Sequence, residues 1–364
     1  MKRFILALII LLASVLSLIS IVTSIYFPIS SSGSNYYIDP INGSDKNSGS
    51  SYAPFKTIQK GVNTAQAGDT INLVFGVYNQ DITTKRDGTI AEPIIISGSS
   101  NAIVKGNGHS HIIDIKNSYI TLDGFTVDGL FGDANSSSGY RKKLIYVMGT
   151  GNCSGISGIR VLNMTLINSG GEALRFRYFV RDSEVAYCNI SHTGVRNYIF
   201  GGDGTYGEGI YIGTATDQLA DGKNPTTDPD ECIDIWVHNN FIATFGAECV
   251  DIKEASHGNI IEGNVVSNSV ESTSGSIDCR GEFNIIEYND IYGNSGAGVR
   301  LGGDNVSDGT NNLVEFNYIH DNGGYGIKVV TFPQVSVCNN SFSNNSKGDY
   351  GGTYGRYFRS ECGD

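Results

Sequence analysis

Chemically capable side chains are concentrated in one repeating pattern. Glu172-Ala-Leu-Arg-Phe-Arg177, Glu208-Gly-Ile-Tyr-Ile-Gly213, Glu248-Cys-Val-Asp-Ile-Lys253, Gly275-Ser-Ile-Asp-Cys-Arg280, Ala297-Gly-Val-Arg-Leu-Gly302 and Tyr325-Gly-Ile-Lys-Val-Val330 can be laid one under another. Each alternates apolar and outward positions, the period of a half-buried strand. Read down the first position, the column is Glu172, Glu208, Glu248; down the fourth it is Arg175, Tyr211, Asp251, Asp278, Arg300, Lys328; the sixth contributes Arg177, Lys253 and Arg280. Neighbouring strands would stack these columns about 4.8 Å apart. Carboxylates that close repel, so either one is protonated or a cation sits among them, and an all-oxygen set favours Ca2+. Glu208, Glu248, Asp251 and Asp278 are the candidate ligands. Lys253 and Arg280 gather positive charge on the same face: repulsion from Arg280 would lower the lysine pKa, and Asp251 and Asp278 push the other way. Arg175, Arg177, Tyr211, Arg300 and Lys328 extend the patch and could bind an anionic chain. A solvated ladder of alternating charge that keeps a β face soluble is the competing explanation.

Positioning such columns requires a repeat architecture. The segments Gly258-Asn-Ile-Ile-Glu-Gly-Asn264, Phe283-Asn-Ile-Ile-Glu-Tyr-Asn289 and Asn311-Asn-Leu-Val-Glu-Phe-Asn317 are near copies, with a weaker one ending at Asn340. Aligned asparagines fall at Asn163, Asn189, Asn240, Asn264, Asn289, Asn317 and Asn340, at roughly 25-residue spacing with one doubled interval. Short strands, a fixed period and Asn at the corners describe an all-β chain folded as a right-handed parallel β-helix, the corner amides bonding from coil to coil. Composition agrees: 47 glycines and 33 asparagines among 364 residues, with only 17% charged, exclude a helical bundle, and 40% hydrophobic residues exclude a disordered chain.

A solenoid needs capped ends. Residues 54–66 are expected to form the N-terminal cap helix, with Pro54 in its first turn and Phe55, Ile58, Val62 and Ala65 on one face. Coils are expected from about 69 to 346, beginning with Thr70-Ile-Asn-Leu-Val74, and the tail 347–364 gives no clear cap signal. Two departures from the repeat, residues 194–207 and 214–231, emerge beside the Glu208 strand; solenoid insertions on one face commonly wall a groove.

Lys2 and Arg3 precede an apolar run from Phe4 to Phe27, so residues 1–34 read as a secretion signal with a short linker, or as an uncleaved anchor through residues 4–27, with 35–364 as one exported domain. Extracellular placement, secreted or surface-anchored, follows from either. Eight Asn-x-Ser/Thr sequons permit glycosylation. A net charge of −12, becoming −14 without the two cations of the leader, excludes phosphate-backbone binding as a main purpose. Seven cysteines without a C-x-x-C pair and six histidines without H-x-x-x-H spacing give no zinc signature.

The stretch Tyr36-Tyr-Ile-Asp-Pro, Gly43-Ser-Asp45, Pro54-Phe-Lys-Thr-Ile-Gln59, Ala67-Gly-Asp-Thr70, Gly76-Val-Tyr78 and Glu92-Pro-Ile-Ile-Ile96 resembles the opening of secreted pectate-lyase-like β-helix proteins. Glu248-Cys-Val-Asp-Ile-Lys253 followed by Ser276-Ile-Asp-Cys-Arg280-Gly281 resembles the chondroitinase B and alginate lyase family of polysaccharide lyases. That resemblance implies β-elimination on an acidic, uronate-containing glycan, with Lys253 as Brønsted base, Arg280 as acid and Glu248 as a calcium ligand. The alternative is a non-catalytic surface or structural β-helix, an adhesin that binds carbohydrate; a glycoside hydrolase or an epimerase is a third. A lyase predicts Lys253 and Arg280 converging in an open groove. A structural protein predicts them salt-bridged to Asp251 and Asp278, with the groove filled by the insertions.

Overall fold

The computed structural model describes residues 33–151, 154–201 and 206–362. The signal or anchor expected at 1–34 lies outside them up to residue 32, as do Asn152 and Cys153. No helix among the described residues is long and apolar enough to cross a membrane.

Three sheets, of twelve, ten and ten strands, run the length of the molecule, and successive coils add to each in sequence order, one coil giving the first sheet two short strands, Ile156–Ser157 and Arg160–Leu162. Strands pair in parallel, so the chain winds as a β-helix, with the right-handed sense that parallel crossovers favour. The register is that expected from the sequence: Arg175 opposes Tyr211, which opposes Asp251, then Asp278, Arg300 and Lys328. Alternation accounts for it. Leu174, Ile210, Val250, Ile277, Val299 and Ile327 all point inward and are fully buried, which fixes their polar neighbours outward.

Asparagine amides tie the corners. Asn240, Asn264, Asn289, Asn317 and Asn340 form one ladder, each amide donating to the next side-chain oxygen at 2.9–3.0 Å. Asn163 and Asn189 do not belong to it: Asn189 opposes Phe241, so the place preceding Asn240 is held by Cys188, and Asn163 bonds Asp123 on the surface. Two further ladders, Asn259–Asn284–Asn312 and Asn294–Asn322–Asn345, line other corners.

The N-terminal cap helix is shorter than expected, Ile58–Thr64 rather than 54–66. Phe55 is extended and bridges Ile38, and the Thr57 hydroxyl caps the helix by accepting from the Lys60 amide. The first coil likewise starts earlier, with Asn35–Ile38 pairing to Thr70–Leu73. At the other end Tyr350–Gly351 adds a last strand, Tyr350, Tyr354 and Phe358 pack on the core, and a Cys338–Cys362 disulfide fastens the tail.

Candidate active site

The six aligned strands belong to one ten-stranded sheet, and a cleft of about 460 Å3 opens on its outer face. Its floor carries Glu208, Tyr211, Glu248, Asp251, Lys253 and Arg280; Arg300 and Lys328 extend it along the axis. Both insertions wall it: Tyr198 and Tyr206 from the first, Ala215, Asp217 and Gln218 from the second. Each wall is braced. Asn197 holds Tyr206 through its carbonyl at 2.8 Å. Asp230, only 1% exposed, accepts from the amides of Tyr178 and Phe179 and from the Thr214 hydroxyl, pinning the base of the second.

Arg175 and Arg177 do not line the cleft, contrary to the expectation that they bind ligand. Arg177, 1% exposed, donates to Asp221 at 2.8 Å and to Asn224, and Arg175 donates to Gln218 at 3.2 Å and to Glu172 at 3.0 Å. They face neighbours rather than solvent because the second insertion folds over their strand. Glu172 leaves the carboxylate stack because it is paired below the surface: burial would raise its pKa, but Lys143 and Arg175 hold it at about 2.

Asp278 also departs from the ligand set. Arg280 at 3.1 Å and Arg300 at 2.9 Å occupy its carboxylate beneath the surface. Glu208, Glu248 and Asp251 instead form the cluster, with ligand oxygens within 4.8 Å of one another. Glu208 is pushed up to about 7 by burial and the charges of Glu172 and Asp251, and Glu248 to about 8 by burial, Asp251 and Glu208. Asp251 Oδ1 is buried without a hydrogen-bond partner among the described residues. An all-oxygen set with one carboxylate oxygen left unpaired among the described residues could hold a hard divalent cation such as Ca2+.

Lys253 lies 2.6 Å from Asp251 Oδ2 and 4.9 Å from the centre of the Tyr211 ring. Burial works most strongly against its charge, yet Asp251, Tyr211 and Asp278 together hold its pKa above the ordinary lysine value and keep the amine protonated. Gly213, at φ +91°, lies alongside; a Cβ there would come 2.3 Å from Ser256 Oγ and 3.4 Å from Lys253 Cβ. Tyr211 lies between Lys253 and Arg175, whose guanidinium is 4.1 Å from the ring centre, and its buried hydroxyl has no partner among the described residues. Arg280 contacts Asp278, Asp304 at 3.2 Å and Glu254 at 3.5 Å. Lys328 donates to the Thr273 carbonyl at 2.8 Å and forms no ion pair with a carboxylate among the described residues. The arrangement therefore mixes both expectations: Lys253 and Arg280 share one open cleft, and each is also paired with its aspartate. Sequence reasoning passed over Lys143, Glu254, Glu271 and Asp304. Glu254 adjoins Lys253, but nothing in the spacing of Lys143 or Asp304 marks them, because they arrive from outside the aligned strands.

No protein-family profile matches the chain. The uncharacterized protein YwoF of Bacillus subtilis (strain 168) is 35% identical over 79 residues, 22% of this chain and 17% of that protein. Solved structures resemble it over far more. The alginate lyase from Paenibacillus sp. str. FPU-7 superposes with a TM-score of 0.61 at 19% identity, covering 80% of this chain and 96% of that one. Pectate lyase Pel9A gives 0.60 at 14%, covering 93% and 83%. The chain has the parallel β-helix fold of the pectate-lyase-like proteins. A glycoside hydrolase shares the β-helix at a TM-score of 0.57 and 11% identity, covering 89% and 98%, so the likeness shows the fold and leaves the chemistry to the cleft.

Proposed function

We propose that the protein is an exported carbohydrate-active enzyme, a polysaccharide lyase that cleaves a uronate-containing glycan by β-elimination in this cleft. The observation that carries the reading is the convergence of Lys253, Arg280 and the unpartnered Tyr211 hydroxyl on one open floor. Elimination requires three things: neutralisation of the uronate carboxylate, so that the C5 proton becomes acidic; a base for that proton; and a donor for the glycosidic oxygen leaving C4. The C5–H electron pair becomes the C4–C5 double bond as the C4–O bond breaks.

Arg280 stays charged, because Asp278 and Asp251 outweigh the cost of its burial, and this suits it to neutralising the carboxylate. Lys253 is held as an ammonium at rest by its ion pair with Asp251 at 2.6 Å, so it serves as base only in the fraction that has lost that proton, and the rate of elimination is expected to rise with pH. Burial keeps the Tyr211 phenol protonated and able to donate to the leaving oxygen. A divalent cation held by Glu208, Glu248 and Asp251 would add further positive charge for the carboxylate.

One observation favours a second reading. Glu208 and Glu248 are adjacent buried carboxyls with raised pKa values, which hydrolysis could employ as acid and base. Assay of the purified protein on alginate, pectate, chondroitin and dermatan sulfates, with Ca2+ and with EDTA, tests the proposal. Ultraviolet absorbance of an unsaturated uronyl product, lost in Lys253→Ala, supports it. New reducing ends without that absorbance would favour hydrolysis, and silence across the panel with the fold intact would favour a binding protein.

A further inference from the structure

Arg280 is the group that the proposed reaction brings against a substrate carboxylate, yet its guanidinium is already engaged. Nε donates to Asp278 at 3.1 Å, and Nη1 donates to Asp304 at 3.2 Å and to Glu254 at 3.5 Å. A bidentate grip on a carboxylate takes two guanidinium nitrogens side by side. With Nε committed to Asp278, that grip has to use Nη1, so a carboxylate now on Nη1 has to yield.

Burial decides which one. Asp278 is fully buried and shared with Arg300 at 2.9 Å, so it stays. Glu254 is one-tenth exposed, and its other oxygen accepts from the Thr216 amide at 3.2 Å, at the foot of the second insertion. The Asp304 side chain is 78% exposed, and Arg280 is its one ion-pair partner among the described residues. A pair so open to water contributes little, and an incoming carboxylate displaces it at small cost.

Asp304 is carried there by a further departure from the repeat. Between Leu301 and Asn312 the chain takes ten residues, 302–311, where the coils before and after take four, 280–283 and 330–333. The neck of this loop is closed. Gly309, at φ +72°, approaches Gly302 so closely that a Cβ on it would lie 2.4 Å from the Gly302 nitrogen, and its carbonyl accepts from Gln334 at 2.7 Å. Arg300 donates to the Gly303 carbonyl at 3.3 Å, and Asp308 accepts from the Asn305 amide at 2.8 Å. A short loop tied at its neck and within its tip keeps its own shape, which holds Asp304 over the cleft.

We propose that Asp304 stands in for the substrate carboxylate in the free protein, covering Arg280 until an anionic ligand displaces it, and that the 302–311 loop thereby sets the affinity of the cleft for that ligand. The ligand rests on the glycan-cleaving reading of this site; the cover does not.

Two measurements on the purified protein separate them. Modification of Arg280 by phenylglyoxal, followed by peptide mass analysis, reads the cover without any glycan, and calorimetric binding of uronate oligosaccharides reads the ligand. Asp304→Asn is expected to speed modification of Arg280 by about 3-fold or more and to lower the Kd for a bound uronate by up to about 5-fold, the range of an exposed ion pair. Asp217→Asn removes the same charge from another wall and is expected to move Arg280 reactivity far less. Equal Arg280 reactivity in Asp304→Asn and the original protein, equal effects of the two variants, or unchanged or weaker affinity for a uronate that does bind would overturn the inference. Faster modification in Asp304→Asn with no uronate bound by either protein would uphold the cover and sink the glycan-cleaving reading.

Discussion

At the scale of single residues, the account turns on how buried charge is compensated. Removing the base in Lys253→Ala is expected to lower kcat by about 10^3-fold, and Tyr211→Phe by about 10^2-fold with little change in KM, within the range of general acid–base effects. Steady-state kinetics on the preferred glycan check both; a Tyr211→Phe enzyme with full kcat would remove the hydroxyl from the chemistry. The carboxylate cluster makes a separate prediction. Glu208 and Glu248 have folded pKa values of about 7 and about 8, above the ordinary 4.5, so between those limits the folded state holds more protons than the unfolded one. Metal-free protein should therefore lose stability as pH rises from about 4.5 to 8, and Ca2+ should remove most of that loss by replacing the protons. Glu172 acts oppositely: held at about 2, it contributes stability above 4.5 that is lost as pH falls toward 2. Thermal melts across pH, with and without Ca2+, read all three groups; a calcium-independent profile would count against the cation.

Among the elements, the asparagine ladders carry the cooperativity of the stack. Asn289 donates to the Ile261 and Glu287 carbonyls and to Asn317, and accepts from Asn264. Asn289→Ala leaves several of these groups buried and unpaired, at a cost of about 2–4 kcal/mol, measurable as a lower denaturation midpoint. A change below about 0.5 kcal/mol would mean that the ladder contributes little. Much of this level was legible in the sequence. Strict alternation in the six chemical strands set the register that the structure shows, and the repeated Ile-Ile-Glu-x-Asn motif located the main ladder. The errors arose where the pattern weakens. Asn163 and Asn189 sit one place off the ladder because a one-residue shift changes which side chain turns the corner. Phe55 looked helical by its spacing, yet it pairs with Ile38, a contact that no local period reveals.

For the whole molecule, the decisive features are the closed ends and the insertions. Reduction of Cys338–Cys362, or its removal in Cys362→Ser, should release the tail from the last coil and cost about 3 kcal/mol for a closed loop of this size. The insertions explain why the candidate site was only partly readable. Their position beside the Glu208 strand foretold a walled groove, but not that the second would fold over Arg175 and Arg177 and turn two candidate ligand-binding arginines into its braces. Nor could column alignment show that Asp278 is consumed by Arg280 and Arg300, since every outward residue looks equally available until its neighbours are placed. The measurement that tests the central claim most directly is the intact mass of all products from a defined uronate-containing oligosaccharide. Elimination predicts fragments whose masses sum to that of the substrate, one carrying a C4–C5 double bond, and no reaction in Lys253→Ala; fragments that together exceed the substrate by one water would contradict the account.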